Sequence, residues 1–493
     1  MACLSVPVLE EAAQAVFNLP APKFDSYSGL PVVNSTRSFW IDTPGANPLA
    51  KEGSDGELSV DADVCIIGSG ITGVSAAYHL AKGLDARGRG PSKTVILEAR
   101  DFCQYLCSGA TGIITGRNGG HLTPVHFKKF VEREKRFGRV EAGKTYALEH
   151  HTTLELLKII NAEDWQDMVD LVSAEHVNLL VTETEVEQAK LDFNAASEAG
   201  LYLKEVEWLS GKQVQTTYGA SFPAFIHPGN NIWPLKFVTQ LLKLTQRLDP
   251  SKFDLRLHTN TPVTSMSPSS SQSRRWSLST HRGDIQCSYV LHATNAYTSY
   301  LLPHLHGPNG IVPTRGQVMA IRATVPATNI TKASWGGNQG SEYWFPRPVE
   351  YPEDHPLIIL GGGRDASGPT YETYVADDST VNKVVGRVLR NFLPGMFPGK
   401  YEKGREPEME WTGIMGYTKI GDPFVGPVVQ VGLNTSADDF KGQYISAGYT
   451  GHGMTRAFGC AETVAGMIVA EIAGEAWTAP EWFPRHFLTT ERL

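Results

Sequence analysis

Cysteine, basic charge and long apolar runs are all in short supply in this chain. Its six cysteines (Cys3, Cys65, Cys103, Cys107, Cys287 and Cys460) are spread over 493 residues in dissimilar contexts, which argues against a disulfide framework. Cys103 and Cys107 are the only close pair. Their spacing is not that of a redox C-x-x-C motif and no second ligand pair accompanies it, so no metal is expected. Lys and Arg number 44 against 52 Asp and Glu, a formal net charge of -8, which disfavours a broad basic face for nucleic acid. No stretch approaches the roughly 18 apolar residues of a membrane span. Residues 1–18 carry Glu10 and Glu11, without early basic residues or an unbroken apolar stretch, so neither a secretory nor a mitochondrial signal is expected. These features together lead to the expectation of a cytoplasmic protein with no nucleic-acid or membrane partner.

Glycine, in contrast, is abundant: 48 residues, nearly one in ten, against a typical usage of about 7%. Eighteen of them fall in five short segments, 68–73, 109–120, 361–363, 413–426 and 448–453. The length exceeds one ordinary core of about 100–200 residues, so two or more domains are expected. Residues 1–60, rich in Pro, Ser and Gly, read as an extended arm. The apolar run Asp63-Val-Cys-Ile-Ile-Gly68 reads as a parallel strand buried on both faces. From about Pro124 to Val172 the spacing of Phe127, Phe130, Leu156 and Ile160 is helical. Leu235–Leu248 predicts an amphipathic helix. Residues 254–258 and 276–280 alternate as strands, with the serine-rich 267–273 stretch as an exposed hairpin loop. Short strands separated by Gly/Pro turns fill 311–429, and a long helix follows over Thr455–Ile472.

Gly68-Ser69-Gly70-Ile71-Thr72-Gly73 follows the first strand directly and opens a helix at Val74. The first glycine permits the tight turn, the second lets backbone N–H groups approach a pyrophosphate, and the third lets helix and strand pack closely. The helix N-terminus adds partial positive charge. A second strand, Thr94-Val-Ile-Leu-Glu98, ends in an acid placed to accept both ribose hydroxyls, after a polar insertion over 85–93. That carboxylate would repel a 2′-phosphate, so the dinucleotide is FAD or NAD rather than NADP.

Glu98-Ala99-Arg100-Asp101, Ser108-Gly109-Ala110-Thr111-Gly112 and Arg117-Asn-Gly-Gly-His121 follow in order. Together with Thr261-Pro-Val263, Val290-Leu-His-Ala-Thr-Asn-Ala296 and Val312-Pro-Thr-Arg-Gly-Gln317, they resemble the flavin-dependent amine oxidoreductases of the D-amino-acid oxidase superfamily. Trp411-Thr-Gly-Ile-Met-Gly416, Asp422-Pro-Phe-Val-Gly426 and Gly448-Tyr-Thr-Gly-His-Gly453 close the series. Within the superfamily the chain is similar to the gamma-glutamylputrescine oxidoreductase-like branch, and particularly to its fungal members.

The resemblance implies an α/β plus α+β architecture: a Rossmann-like FAD-binding domain built from residues 61–125, 221–302 and 436–478, and an inserted antiparallel-sheet substrate domain of residues 126–220 and 303–435. The arm of residues 1–60 precedes them and a tail of residues 479–493 follows. It also implies FAD contacts at Val263 for the adenine and at Ala293, Thr294 and Asn295 beneath the diphosphate. Gly448, Gly451, His452, Gly453 and Met454 would lie at the flavin. Their bare N–H groups would stabilise negative charge as the ring is reduced.

The expected reaction is hydride transfer from the amine-bearing carbon of an amine or amino acid to flavin N5, with the electron acceptor left open among oxygen, NAD and another carrier. His121 and Arg117 are candidates for tuning the flavin and orienting substrate, and His452 for touching the ring edge. Tyr343, Trp344, Trp411 and Tyr417 are candidates for an aromatic cage around a cation. Arg315 reads equally as an anion contact or a structural ion pair. Met415 stands where some relatives carry the Cys that bonds flavin, so a non-covalent flavin is expected. Thr455 replaces a carboxylate-binding Lys of other relatives, which keeps an amine without an α-carboxylate among the expected substrates. Two insertions, 103–107 and 113–116, fall where a loop should face the ring. A flavoenzyme acting on a 2-hydroxy acid, or a non-catalytic FAD-binding protein, are the alternative readings.

Overall fold

The computed structural model describes residues 28–89, 92–103, 116–430 and 439–492. Two eight-stranded sheets organise them. At the centre of the first is Asp61–Ile67, which pairs in parallel with Ser92–Leu97 on one side and Gly283–His292 on the other. The order continues to Phe253–His258 at one edge and, at the other, through Gln443–Ala447 to the antiparallel Phe424–Pro427. Asp61–Ile67 is covered on both faces, which explains why its sequence is a continuous apolar run rather than an alternating one. The hairpin Val263–Pro268 and Trp276–Thr280 turns at the serine-rich segment and adds to the first half of Gly283–His292.

Helix Ile71–Asp85 packs on this sheet and on helix Gly453–Ala473, and small residues bring their axes close. A methyl group at Gly83 would meet Val469 Cγ2 at 3.1 Å. Pro234 at the first position of Pro234–Gln246 supplies a φ already suited to a helix and lacks the N–H that would go unpaired there. Among the described residues, no helix is long and apolar enough to cross a membrane.

The second sheet runs Met409–Tyr417, Val312–Arg322, Leu357–Gly361, Glu342–Pro346, Ser334–Gly337, Val172–Leu179, Ala224–Asn231, Glu207–Leu209. All its neighbours are antiparallel except Ser334–Gly337 with Val172–Leu179. Side-chain alternation divides its two faces. Val318, Ala320, Tyr343, Phe345, Ile359 and Trp411 join the main core shared with the first sheet's helices. Met319, Ile321, Trp344, Ile358 and Leu360 pack instead against helix Lys383–Met396. Two strands differ from the sequence expectation. Ala224–Asn231 pairs in the second sheet and Phe424–Pro427 in the first, because the partners of both are set by register with distant strands.

Residues 28–38 form no helix or strand, and the chain then enters the core at Trp40. The Trp40 indole donates to the Asn118 carbonyl at 2.5 Å and lies edge-on to Trp233, so the end of the arm is built into the interior.

Candidate functional site

The turn after the first strand has the geometry that its glycines require. Gly68 adopts φ +111, and a Cβ there would lie 2.6 Å from the Ala293 carbonyl oxygen. A Cβ on Gly73 would run into the Gly68 carbonyl, so the helix sits directly on the turn. Gly70 caps helix Ile71–Asp85 without a side-chain cap hydrogen bond, so no cap side chain stands between the first turn and an anionic ligand.

Glu98, fully buried, sits at the end of the second strand. Its Oε2 accepts from the Ser69 N–H at 3.0 Å and the Ser69 hydroxyl at 2.8 Å, and its Oε1 from the Arg100 N–H at 3.0 Å. Burial raises its pKa from the ordinary range, while the Arg100 and Ser69 donors oppose that shift. Beside it lies a cleft lined by Gly68, Glu98, Ala99, Val263, Thr294 and Tyr297, among others. Glycine turn, strand-end acid and buried Val263 therefore converge on one cleft, as an adenosine diphosphate requires.

The 448–453 loop is bound to this region by polar contacts. Gly448 N–H donates to Asn295 Oδ1 at 2.9 Å, and Ala293 N–H donates to Ile67 O at 3.0 Å. The buried Tyr449 hydroxyl accepts from Thr72 Oγ1 at 3.1 Å and lies 2.7 Å from Ser446 Oγ, connecting the diphosphate turn to the loop. Gly451 has φ +90, His452 caps helix Gly453–Ala473 without a side-chain bond, and Met454 is buried in the main core. Thr450 N–H donates to Gly416 O at 2.9 Å, which ties the loop to the edge strand of the second sheet. Ser108, Gly109, Ala110 and Thr111, and residues 104–107 and 113–115 of the two insertions, lie outside the described residues.

The arginines near the site are engaged with the protein itself. Arg117 is fully buried; its Nε donates to the Thr412 carbonyl at 2.7 Å, Nη1 to Ser35 Oγ at 3.1 Å, and Nη2 to Thr36. Asp378 Oδ2 lies 3.6 Å from Arg117 Nε, and its carboxylate also takes Arg100 Nη1 at 3.2 Å. Burial lowers the Arg117 pKa to about 10, with Asp378 opposing the shift. Arg315 pairs with Glu372 at 2.6 Å and donates to Thr380. Arg456 lies between Glu149 at 2.7 Å and Asp422 at 3.1 Å. Burial works against the Asp422 charge, but Arg133, His486 and Arg456 hold its carboxyl well below the usual range. His452 Nδ1 is 3.5 Å from Glu149 Oε1, and burial together with Arg456 pushes its pKa well down.

The four aromatic residues expected to form a cage are divided by the sheet. Tyr343, Gly361, Val318 and Trp411 stand in one cross-strand row on the face turned to the first sheet. Trp344 lies on the other face, stacked 5.4 Å from Trp335, so alternation removes it from any cage with Tyr343. Tyr417 has the strand parity of Trp411 and meets Arg364, whose Nη2 donates to its hydroxyl at 3.1 Å.

His121 sits edge-on to Tyr343 and Phe345, with ring centroids 5.4 and 5.0 Å away, and burial lowers its pKa to about 4. Behind it runs a series of buried imidazoles. His176 is 5.7 Å from His121 and 5.2 Å from His227, which is 4.0 Å from His126. Desolvation pushes down the pKa of each. Asp378, Glu149, Glu342 and Arg364 are not picked out by the sequence, and Asp422 only as the first residue of Asp422-Pro-Phe-Val-Gly426. Only Arg364 had a local signal, as the first charged residue after Gly361-Gly-Gly363.

No curated protein matches the chain significantly. Solved structures do match. L-proline dehydrogenase from P. horikoshii is 16% identical with a TM-score of 0.60, and the match covers 87% of this chain and 98% of that one. Glycine oxidase from Bacillus cereus ATCC 14579 is 17% identical with a TM-score of 0.59, covering 84% and 96%. L-amino acid deaminase from Proteus vulgaris is 14% identical with a TM-score of 0.61, covering 89% and 98%. At such identities the likeness is one of fold. The model of the DAO family, described as FAD dependent oxidoreductase, matches residues 63–467. That span begins at the strand before the glycine turn and ends within the helix that follows the 448–453 loop, so it takes in both halves of the dinucleotide cleft and the second sheet between them: the chain belongs to the DAO family of FAD-dependent oxidoreductases, an enzyme whose cofactor is FAD.

Proposed function

We propose that this enzyme oxidises the carbon–nitrogen bond of a small-molecule amine or amino acid, giving an imine that water hydrolyses. Bound FAD supplies the hydride acceptor. The reading is supported chiefly by the neutral, aromatic row Tyr343–Gly361–Val318–Trp411 with His121 against it, joined through the Thr450–Gly416 hydrogen bond to the 448–453 loop.

In this reading the first turn of helix Ile71–Asp85 and the Gly68 turn hold the diphosphate. Glu98 takes the ribose hydroxyls, the Val263 backbone meets the adenine, and the 448–453 loop faces the flavin, although its Gly448, Thr450 and His452 N–H groups are already taken by Asn295, Gly416 and Tyr449. Tyr343 and Trp411 exclude water and accept a cationic amine on their faces. His121, with its low pKa, stays neutral at physiological pH and does not repel that cation. Arg117, Arg315 and Arg456 serve the scaffold, since their donors already meet carboxylates, carbonyls and hydroxyls of this chain. Such chemistry depends on positioning, and on loss of the ammonium proton to water before the hydride leaves, rather than on a nucleophile. We assign the finer kinship to the gamma-glutamylputrescine oxidoreductase-like branch, on the ordered motifs from Glu98 to Gly453.

Anaerobic addition of a panel of amines and amino acids to the FAD-loaded enzyme is expected to bleach the flavin absorption band. Bleaching by 2-hydroxy acids alone would overturn the assignment. Met415 at the attachment position leads us to a non-covalent flavin, so acid precipitation is expected to release all of it into the supernatant.

A further inference from the structure

The cleft beside Glu98 has a wall that neither strand ends nor helices supply. Leu30 and Pro31 of the arm line it together with Gly68, Glu98 and Val263. The Leu-Pro pair suits that place, because the residue before a proline is turned away from helix toward an extended form, and proline brings no N–H that would need a partner in the cleft. Pro31 is buried, whereas Leu30 is 36% exposed, an apolar side chain at the edge of a cleft. The segment lies ahead of residue 63, so the span shared with the family does not include it.

Hydrogen bonds fasten the arm both before and after this point. Before it, the Ser28 N–H donates to Ser299 Oγ at 3.2 Å, and the two hydroxyl oxygens are 2.6 Å apart. Ser299 belongs to helix Thr298–Leu301, whose Tyr300 and Leu301 line the same cleft. After it, the Thr36 N–H donates to the Asp378 carbonyl at 2.8 Å, and Thr36 Oγ1 accepts the Thr412 N–H at 2.9 Å. Between these points Arg100 Nη1 donates to the Val32 carbonyl at 3.2 Å, while the Arg100 N–H donates to Glu98 at 3.0 Å. One residue therefore joins the arm to the acid of the cleft.

We propose that residues 28–36 belong to the cofactor site, as a strap fixed at Ser28 and Thr36 whose Leu30 and Pro31 close over the adenosine end of FAD. This rests on the placement of the adenosine diphosphate between the Gly68 turn, Glu98 and Val263. A purine presents flat, largely apolar faces, so it removes from water the part of Leu30 that is exposed. Release of FAD then requires the strap to lift, which breaks the Ser28 and Val32 hydrogen bonds. By linkage, bound FAD holds the strap down to the same extent.

The test measures the dissociation constant of FAD from the loaded enzyme, by the gain of flavin fluorescence on dilution. L30A, which loses part of a leucine's contact, is expected to raise it about 3- to 10-fold. S299A, which unfastens the Ser28 end, is expected to raise it about 2- to 10-fold. V33A is the control: Val33 is 85% exposed, and the constant should stay within twofold of wild type. The absorption band of the bound flavin should keep its shape in all three, because the strap meets the adenosine and not the ring. Trypsin cutting after the exposed Arg37 reads the same linkage from the other side, and FAD should slow it in wild type and slow it less in L30A. Melting temperatures of the FAD-free proteins establish that each variant is folded; if S299A is not, L30A against V33A keeps the comparison. L30A that binds FAD within twofold of wild type, or cleavage at Arg37 indifferent to FAD, overturns the inference. Weaker binding that comes with an altered flavin band also overturns it, since the change then lies in the fold at large. E98A separates the strap from the placement it rests on. FAD weakened by E98A but not by L30A leaves the placement standing and removes the strap, whereas FAD weakened by L30A but not by E98A keeps the strap and removes Glu98 as the ribose acceptor.

Discussion

Replacing Glu342 with glutamine should stabilise the enzyme, and by an amount that grows with pH. The carboxyl of Glu342 is 3% exposed, its Oε1 accepts the Gly363 N–H at 3.2 Å, and its Oε2 has no partner. Burial, reinforced by Asp365, raises its pKa from 4.5 to about 8. The folded protein therefore keeps a proton that the unfolded chain releases above its ordinary pKa. The stability linked to this group is fully present below pH 4.5 and is lost as pH rises through 8. At about 1.4 kcal/mol per unit, the loss is under about 1 kcal/mol at pH 5, about 3 kcal/mol at pH 7 and close to 5 kcal/mol above pH 8. Glutamine has the shape of the protonated acid, keeps an acceptor for Gly363 and never ionises. With an unfolding entropy of about 2 cal/mol/K per residue, the melting temperature of E342Q should exceed that of wild type by about 3 °C at pH 7 and about 5 °C at pH 9, with a difference of at most about 1 °C at pH 5. Melts followed by tryptophan and flavin fluorescence across pH 5 to 9 measure this. Parallel profiles for the two proteins, or an E342Q that is weaker at every pH, would refute the argument that Glu342 is buried as the neutral acid.

Three further outcomes are expected. E98A removes the proposed acceptor for the ribose hydroxyls and strands the Ser69 and Arg100 donors, so FAD affinity should drop about 10- to 100-fold, measured by release of flavin fluorescence on dilution. G73A forces a methyl group into the Gly68 carbonyl, and the purified protein should contain little FAD and lack visible colour. His126 is neutral when folded, its pKa lowered to about 2 by burial and by neighbouring His227 and His150, so it costs stability as pH falls below 6.5. H126L should lose less stability than wild type between pH 6.5 and pH 4, by about 3 kcal/mol at pH 4, as seen in urea melts.

The sequence made the cofactor half of the site legible because its geometry is local. The Gly68 turn and Glu98 follow two neighbouring parallel strands and a short spacing rule connects them, whereas Val263, far along the chain, is reached only through the family resemblance. The roles of the arginines were not legible, because their partners are remote. Arg117 is bound by Ser35, Thr36, Thr412 and Asp378, and no spacing rule gathers those four. Asp378 carries no local signal at all. Tyr343 and Trp344 show the opposite case: once the segment is read as a strand, their adjacency alone places them on opposite faces. The sheet membership of Ala224–Asn231 and Phe424–Pro427 depends on pairing with distant strands, which composition does not specify.

The docking of the arm also has a consequence in time. Thr36 is fixed by the Asp378 carbonyl and by the Thr412 N–H, partners 342 and 376 residues further along the chain. At synthesis rates of about 5–20 residues per second, the arm leaves the ribosome roughly 20 to 75 s before those partners exist. This early-made segment is therefore fastened late, and until then Arg117 lacks part of its bonding. Protection of residues 28–38 against protease in a newly made chain thus marks the moment at which the arm's late-made partners on the second sheet are in place.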